Sequence, residues 1–280
     1  MKIVSFNVNG IRARLHQLQE LIDRHRPDIV GLQETKVRDE EFPTAAVREM
    51  GYHPVYFGQK SHYGVALLSR REPDRVQRGF PGDGQDAQRR LLAACYGLDD
   101  GRFLWVVNGY FPQGESRSHP QKFPAKARFY TELHDYIRHH FSPQDRLLIL
   151  GDFNVAPEDR DIGIGNDNAR RWLRTGKCSF LPEERQWFQE LRDWGLVDTF
   201  RRLHSATSDR FSWFDYRSRG FEREPKRGLR IDLILASRSL AACCLAGDID
   251  YHVRAMERPS DHCPVWAEFA LPDFAVSAGS

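Results

Sequence analysis

Acidic and amide side chains stand at the ends of several apolar runs in this chain. The run that begins at Leu147 ends in Gly-Asp-Phe-Asn, which places Asp152 and Asn154 two residues apart. Gly-Asp is common in turns, so this ending alone is also compatible with a strand followed by a turn. Buried carboxylates and amides cost several kcal/mol unless they are paired or bound to a cation. Recurrence of the ending elsewhere would therefore indicate a site.

The same ending recurs in five further segments. They contribute Asn7 and Asn9, Glu34, Asn108 and Tyr110, Asp232, and finally Asp261 with His262. If the fold brings these ends together, they form a pocket of carboxylates and amides with a tyrosine and a histidine. Oxygen ligands with one imidazole suit Mg²⁺ or Mn²⁺ and not zinc, and Mg²⁺ held by a few carboxylates usually serves phosphate chemistry. Glu34 taken by itself is equally compatible with a helix or turn acid.

Asp232 and His262 are predicted to form a pair. Asp232 lies inside an apolar run, where a carboxylate needs a partner. His262 follows Asp261 between Pro259 and Pro264, which excludes a helix interior and favours a rigid loop. An imidazole on such a loop is a natural partner for the carboxylate.

Short β-rich runs alternate with a few helical patterns along the chain. Helical spacing covers 11–26 and 126–141, and a third helix is predicted to start near Pro182. Many strands with few helices favour two stacked sheets with helices outside over one doubly wound sheet. The predicted strands are KIVSFNV, DIVGLQE, HPVYFG, GVALLS, RLLAACYGL, RFLWVVNGYF, RLLILGDF, RFSWFDY, LRIDLILAS and CPVWAEFAL.

Composition predicts a globular protein without an overall nucleic-acid signature. The hydrophobic fraction is 40%, and the net charge of +2 means that any cationic surface must be local. The 5 cysteines show no CxxC or Cys/His ligand spacing, so neither a disulfide framework nor a zinc site is indicated. The first residues contain no signal-peptide pattern, and no apolar window has the length of a membrane span. We expect a soluble cytoplasmic protein with one catalytic domain over 1–270 and a flexible tail over 271–280.

Taken together, seven segments resemble the exonuclease III family within the endonuclease/exonuclease/phosphatase superfamily. They are SFNVNGIRAR, GLQETK, GYFPQGES, GDFNVAP, RFSWFDYRSRG, LRIDLILAS and PSDHCPVW, in order from Met1 to about Phe269. The resemblance implies an α/β fold, a four-layered sandwich of two packed mixed β-sheets flanked by helices. It also implies a Mg²⁺-dependent DNA-repair phosphodiesterase, with Mn²⁺ able to substitute. Such an enzyme cuts the backbone 5′ to abasic sites, removes nucleotides 3′-to-5′ from duplex DNA and cleans 3′ ends.

The same resemblance assigns roles to individual residues. Glu34 would be the principal metal ligand, Asp152 held by Asn154 would position the attacking water, and Asp232 would orient His262. The implied metal set is Glu34, Asn7, Asn9, Asp152, Asn154, Asp261 and His262, and the implied catalytic set is Tyr110, Asp152, Asn154, Asp232, His262 and Asn7.

Contacts with double-stranded DNA are predicted from cationic and apolar residues near these motifs. Cationic clusters occur at Arg89 and Arg90, at Lys122 and Lys126, and from Arg170 to Lys177; a solvated charged surface is the alternative for each. Trp213, Phe214 and Leu229 resemble a pocket for a base-less sugar, with core packing as the alternative. The predicted substrate-binding set is Gln113, Arg90, Lys122, Arg174, Lys177, Trp213, Phe214 and Leu229.

Three functions fit the sequence to different degrees. The favoured one is a monomeric DNA-repair nuclease that acts on abasic sites or blocked 3′ ends and binds no membrane. A phosphoesterase for an inositol phosphate or a sphingolipid is opposed by GYFPQGES and KCSFLPEER, segments specific to the DNA-acting branch. A catalytically silent DNA-binding relative is opposed by the presence of every predicted catalytic acid and of His262.

Overall fold

Two six-stranded mixed sheets form the centre of the molecule. The computed structural model describes residues 1–207 and 209–275. The strands are β1 (Lys2–Asn7), β2 (Ile29–Gln33), β3 (His53–Phe57), β4 (Val65–Ser69), β5 (Arg75–Arg78), β6 (Leu91–Gly97), β7 (Phe103–Tyr110), β8 (Arg146–Asp152), β9 (Leu196–Asp198), β10 (Asp232–Ser237), β11 (Cys244–Ile249) and β12 (Val265–Phe269). The first sheet has the order β11-β12-β1-β2-β4-β3 and the second the order β5-β6-β7-β8-β10-β9.

Helices cover the outer face of each sheet, which confirms the expected arrangement of two packed sheets flanked by helices. The helices are α1 (Leu15–His25), α2 (Thr44–Glu49), α3 (Lys122–His140), α4 (Asn166–Thr175), α5 (Pro182–Trp194), α6 (Thr199–Leu203), α7 (Arg238–Ala241) and α8 (Tyr251–Arg254). Leu18 and Leu21 of α1 pack on the first sheet, and Leu133 of α3 with Leu191 of α5 packs on the second. A third apolar layer lies between the sheets. Burial of this apolar surface is the main favourable contribution to folding.

Strand direction explains why the polar strand ends meet. In the first sheet β1 and β2 are parallel, and in the second β7 and β8 are parallel, so the carboxyl ends of each pair lie at one sheet edge. β10 runs antiparallel to β8, so that its first residue, Asp232, lies opposite Asp152. Tyr110 lies opposite Asp152 on the other side. Strand ends and strand starts thus supply side chains to the same edge.

Several predictions about the elements need correction. RFSWFDY forms no ladder; Trp213 makes only isolated bridges, to Leu229 and His262. Asp232 is the first residue of β10 and not an interior strand residue, because the backbone before it pairs with the loop around Ser212. Helix α4 was not predicted; it has no fully buried residue and packs only partly buried side chains, Ala169 and Trp172, against a small satellite core. Strands β5, β9 and β11 were also not predicted; they are short or lie at sheet edges.

The residues predicted as a tail divide into two parts. Phe274 pairs with Leu98 and contacts the ring of Tyr96 at 5.4 Å between centroids, so this stretch lies against the protein. Residues 276–280 lie outside the described residues. Across 1–207 and 209–275, no helix combines the length and the hydropathy that a bilayer span requires.

Candidate active site

Asp152 ends β8 at the centre of the candidate site, where it is 1% exposed. Its carboxylate accepts hydrogen bonds from the backbone N–H of Asn154 at 3.0 Å and from the Asn154 side-chain amide at 3.2 Å. The same amide group donates to the carbonyl of Phe111 at 2.9 Å. Asn154 has a φ of 51°, a left-handed conformation that asparagine tolerates better than most residues. The Asp-Phe-Asn sequence therefore folds into a tight turn that fixes the carboxylate.

Glu34 lies directly after β2 and faces Asp152. Its φ of 52° is unusual for a glutamate, and the backbone N–H of Gly10 donates to its carbonyl at 2.7 Å, which helps to hold it there. The side-chain amide of Asn7 donates to Glu34 at 2.9 Å and to Asp152 at 3.0 Å. Lys36 Nζ lies 2.8 Å from the Glu34 carboxylate. Asn7 and Lys36 thus offset part of the repulsion between the two acids.

Asp232 and His262 form the predicted pair. Nδ1 of His262 lies 2.9 Å and 3.0 Å from the two carboxylate oxygens of Asp232, and both side chains are buried. Nε2 of His262 lies 3.8 Å from Asp152. The pairing at Nδ1 fixes the ring and directs Nε2 toward Asp152 and the cleft.

Asn9 and Asp261 complete the polar edge. The side-chain amide of Asn9 donates to Asp261 at 2.8 Å, and the indole N–H of Trp213 donates to the other carboxylate oxygen at 3.0 Å. The side-chain oxygen of Asn9 accepts a hydrogen bond from Lys36, and the side-chain oxygen of Asn7 accepts one from the backbone N–H of Asn9. In this arrangement both asparagines orient acids, and their oxygens already have protein donors.

Burial and neighbouring charge shift the pKa values of the central groups. Burial raises the pKa of Asp152 to about 7, with the nearby His262 acting against the shift. Burial alone would lower the pKa of His262, but the carboxylates of Asp232 and Asp152 raise it to about 10. Burial also opposes ionisation of Glu34, but Lys36 and Asn7 outweigh it, so its pKa is lowered. At neutral pH the site therefore contains a charged imidazole, an ionised Glu34 and an aspartate poised to exchange a proton.

The ring of Tyr110 packs against the guanidinium of Arg90, which lies between the rings of Tyr110 and Tyr63. The guanidinium carbon of Arg90 lies 4.6 Å from the centre of the Tyr110 ring and 4.1 Å from that of Tyr63. Arg90 also donates to the backbone carbonyl of Tyr110 at 3.0 Å. Burial, followed by the charges of Glu34 and Asp152, raises the pKa of Tyr110 well above its ordinary value. The hydroxyl therefore stays protonated and is available as a donor.

Several of these side chains line a cleft of about 640 Å³. Its acidic part carries Glu34, Asp152 and His262, whose ligand atoms lie within 4.8 Å of one another. Residues around α4 and in the loop between Trp213 and Leu229 also line the cleft. They are Ile164, Asn168, Arg171, Trp172, Lys177, Asp215, Arg217, Ser218, Arg223 and Arg227. The lining therefore combines carboxylates that suit a cation with basic side chains that suit anionic groups.

The structure separates the predicted substrate-binding residues. Lining the cleft are Gln113, Lys177, Trp213 and Leu229. Phe214 is 0% exposed in the core between the sheets, so its placement in the pocket was wrong. Arg90 is only 8% exposed because two rings enclose it, so it supports Tyr110 and offers no free surface to DNA.

Three predicted cationic residues lie elsewhere. Lys122 is exposed and paired with Glu115, outside the cleft lining. Arg174 is exposed on α4, also outside the lining. Lys126 does not belong to an exposed cluster, since it is completely buried and paired with Glu184. Spacing alone does not distinguish a lysine on the surface from one inside.

Several residues of the site and of the cleft were not predicted. Lys36 lies two residues after Glu34 in GLQETK, so its nearness to the Glu34 carboxylate could have been inferred from the sequence. Trp172 and Ile164 belong to a small satellite core under α4, which lacked a helical signal in the sequence. Arg223 and Arg227 lie in a loop for which no role was predicted.

Comparisons with known proteins agree with this geometry. The profile described as "Endonuclease/Exonuclease/phosphatase family" matches residues 4–262. An exodeoxyribonuclease III of Haemophilus influenzae is 55% identical over 269 residues, covering 96% of this chain and 100% of that protein. The solved 3′ phosphatase NExo from Neisseria, bound to a product DNA hairpin, is 41% identical with a TM-score of 0.86, covering 96% of this chain and 99% of that one. A solved AP endonuclease from Archaeoglobus fulgidus is 34% identical with a TM-score of 0.87, covering 97% of this chain and 100% of that one.

In metal-free protein we expect His262 to titrate at about 10. Asp232→Asn removes the negative charge that raises the pKa of His262 most, so it should lower this pKa by about one pH unit or more. Asp261→Asn serves as the matched control, since that carboxylate has a weaker influence and its loss should lower the pKa less. NMR titration of the imidazole nitrogens in the presence of a chelator measures both. An unchanged pKa in Asp232→Asn would contradict the pairing.

The raised pKa also predicts how stability depends on pH. A group that binds its proton more tightly when folded stabilises the folded state below its unfolded pKa, and this stabilisation is lost as pH rises through its folded pKa. For His262 the window runs from 6.5 to about 10. Urea unfolding of metal-free protein should show this decline, and the decline should be smaller in Asp232→Asn.

Proposed function

This chain belongs to the endonuclease/exonuclease/phosphatase family, and from that premise we propose that it is a metal-dependent DNA-repair phosphodiesterase. It hydrolyses the backbone 5′ to abasic sites, removes nucleotides 3′-to-5′ from duplex DNA and cleans 3′ ends. The observation that carries the proposal is the convergence of Glu34, Asp152 and His262 at the edge of the two sheets. The similarity to an exodeoxyribonuclease III, an AP endonuclease and a 3′ phosphatase supports DNA as the substrate.

The donor set in the acidic part of the cleft fits a hard divalent cation. Glu34 and Asp152 supply carboxylate oxygens within 4.8 Å of each other. Among the residues that the structure describes, no cysteine lines the cleft. Nδ1 of His262 is already paired with Asp232. Such donors favour Mg²⁺, with Mn²⁺ as a substitute. We assign Glu34 as principal ligand, with Asp261, Asp152 and the asparagines close to the ion or its waters. The bound ion supplies charge neutralisation at a phosphate oxygen.

Asp152 prepares the attacking water. In the metal-free protein burial raises its pKa to about 7, which gives it the proton affinity that a general base needs near neutral pH. The two hydrogen bonds from Asn154 fix the direction of its carboxylate. Oδ1 accepts one hydrogen bond, from the backbone N–H of Asn154, so it keeps a lone pair that orients the attacking water and accepts its proton.

His262 and Tyr110 hold the scissile phosphate. His262 is cationic and directs Nε2 toward the cleft, and Tyr110 keeps its proton. Fixed donors aimed at oxygens that gain charge stabilise the transition state without reorganising. Asp232 acts through His262 by fixing its ring, and Asn7 acts through Glu34 and Asp152 by fixing their carboxylates.

Basic side chains of the cleft bind the flanking DNA backbone. They include Lys177, Arg171 and Arg217. Contacts between such side chains and phosphates release counterions and provide affinity that does not depend on sequence. Because these basic residues line the same cleft as Asp152, they hold the DNA backbone next to a phosphodiester placed at Asp152.

The proposal also includes a monomeric enzyme in the cytoplasm. All five cysteines are free thiols, which fits a reducing compartment.

Incision of a duplex with one abasic analogue tests the proposed function. We expect cleavage 5′ to the analogue with Mg²⁺ and none with a chelator. Glu34→Gln should lower kcat by about 10²-fold or more with little change in DNA affinity, because metal positioning stabilises the transition state. Glu183→Gln, at a partly exposed glutamate outside the cleft lining, is the matched control and should cleave normally. Cleavage that persists with the chelator, or normal turnover of Glu34→Gln at low Mg²⁺, would refute the assignment.

Trp213 provides a test of selectivity. Its indole lines the cleft beside Leu229, forming an apolar wall for a base-less sugar. Trp213→Ala should lower abasic incision about tenfold more than it lowers removal of nucleotides from an ordinary 3′ end. Incision within a duplex requires the base-less sugar to flip into the cleft, whereas a fraying 3′ end is already accessible.

Trp213→Phe separates the wall from the hydrogen bond to Asp261. The phenylalanine variant keeps an aromatic surface and loses the N–H donor, so it should retain most of the selectivity. Equal losses of both activities in Trp213→Ala would make Trp213 a structural residue.

A further inference from the structure

A buried ion pair lies directly behind the cleft. Lys126 of α3 and Glu184 of α5 are each 0% exposed and pair with each other. Lys126 Nζ also donates to the carbonyl of Asn154 at 2.8 Å and lies 3.4 Å from that of Gln113. Glu184 accepts from the backbone N–H of Ser179 at 2.8 Å. Asn154, Gln113 and Ser179 all line the cleft, so one charged pair contacts the backbone of three separate cleft segments.

Stability alone does not account for this pair. Removing two charges from water costs free energy that their attraction often does not recover, and apolar residues of similar volume frequently serve as well. The space around the pair is also filled, since a Cβ on Gly114 would lie 3.0 Å from Cδ of Lys126 and 2.8 Å from Sγ of Cys178. The role of this buried ion pair therefore lies in the backbone groups that it binds.

What Lys126 holds is the strained turn that carries Asn154. The φ of 51° at Asn154 persists only if surrounding contacts fix it. Two contacts come from α3: Lys126 on the carbonyl of Asn154, and the hydroxyl of Tyr130 on the carbonyl of Phe153 at 2.8 Å. A charged donor forms the stronger type of hydrogen bond. Loss of the charge would let the turn relax and would free the amide that orients Asp152.

We propose that Lys126 and Glu184 are positioning residues, which set the geometry of Asp152 through Asn154. The inference rests on the proposed role of Asn154 at the general base. Neither residue touches substrate; both act by fixing the backbone behind the cleft. The pair also links Asn154 to the Ser179 segment beside Lys177. This link fixes the position of the general base, Asp152, relative to the basic residues that bind DNA.

The test uses the full-length protein with the pair neutralised. Lys126→Met combined with Glu184→Gln removes both charges and keeps an oxygen for the backbone donors. We expect cooperative unfolding, a kcat on abasic duplex at least about tenfold lower, and a KM changed less than about twofold. Glu183→Gln, one residue away on the same helix and paired with Arg117 at the surface, should leave kcat unchanged. If the double variant fails to fold, Glu184→Gln alone should show the same division between kcat and KM.

Two further readouts distinguish positioning from general stability. Hydrogen exchange at the backbone amide of Asn154, which donates to Asp152, should accelerate in the neutral pair while amides in β1 keep their protection. In an Asn154→Ala background the neutral pair should lower kcat no further, because both changes disrupt one unit. Unchanged kcat in the neutral pair, or full multiplication of the losses, would overturn the inference. If Asn154→Ala itself keeps full kcat, the proposed role of Asn154 is wrong and the inference falls with it.

Discussion

The site depends on buried carboxylates that lie close together where the two sheets meet. Glu34 and Asp152 present ligand atoms within 4.8 Å, and Asp232 and Asp261 lie nearby. Two like charges about 4 Å apart repel by about 4 kcal/mol at an effective dielectric of about 20, and burial adds a desolvation cost. This cost is offset in part by Lys36 and Asn7 at Glu34 and by the imidazole of His262 at Asp152. The concentration of carboxylates suits a metal cation, as the proposed function requires.

Local backbone strain is the means by which the fold keeps this arrangement. Asn9, Glu34 and Asn154 all have positive φ values, and each directly follows a strand or lies within two residues of its end. Such conformations persist because the parallel pairs at the centre of each sheet hold the strand ends in register, and because turns and buried side chains hold the loops. The apolar layers thus contribute more than stability. They supply the rigidity that lets a short turn fix a carboxylate in one direction.

The amino-acid sequence predicts the site better than its surroundings. Polar residues at the ends of apolar runs are readable because burial without a partner is costly. Taken jointly with the acid and imidazole before the last strand, they predict the convergence of Glu34, Asp152 and His262 that the structure has. The same reasoning cannot separate residues of one type by environment. Lys126 is buried in an ion pair and Arg90 between two rings, while Phe214 packs in the core. Those outcomes depend on contacts between segments distant in sequence, and the apolar side chains of helix α4 are only partly buried, against a satellite core formed by such segments.

If the converging carboxylates form the proposed metal site, a bound divalent cation should stabilise the folded protein. The most direct test is the free energy of unfolding in urea as a function of Mg²⁺ concentration, with NaCl at matched ionic strength as reference. A ligand that binds only the folded state stabilises it progressively with concentration above its Kd. We predict such stabilisation by Mg²⁺ in the parent protein, and its loss when Glu34 and Asp152 are replaced by their amides. An effect of Mg²⁺ no larger than that of NaCl would contradict the account.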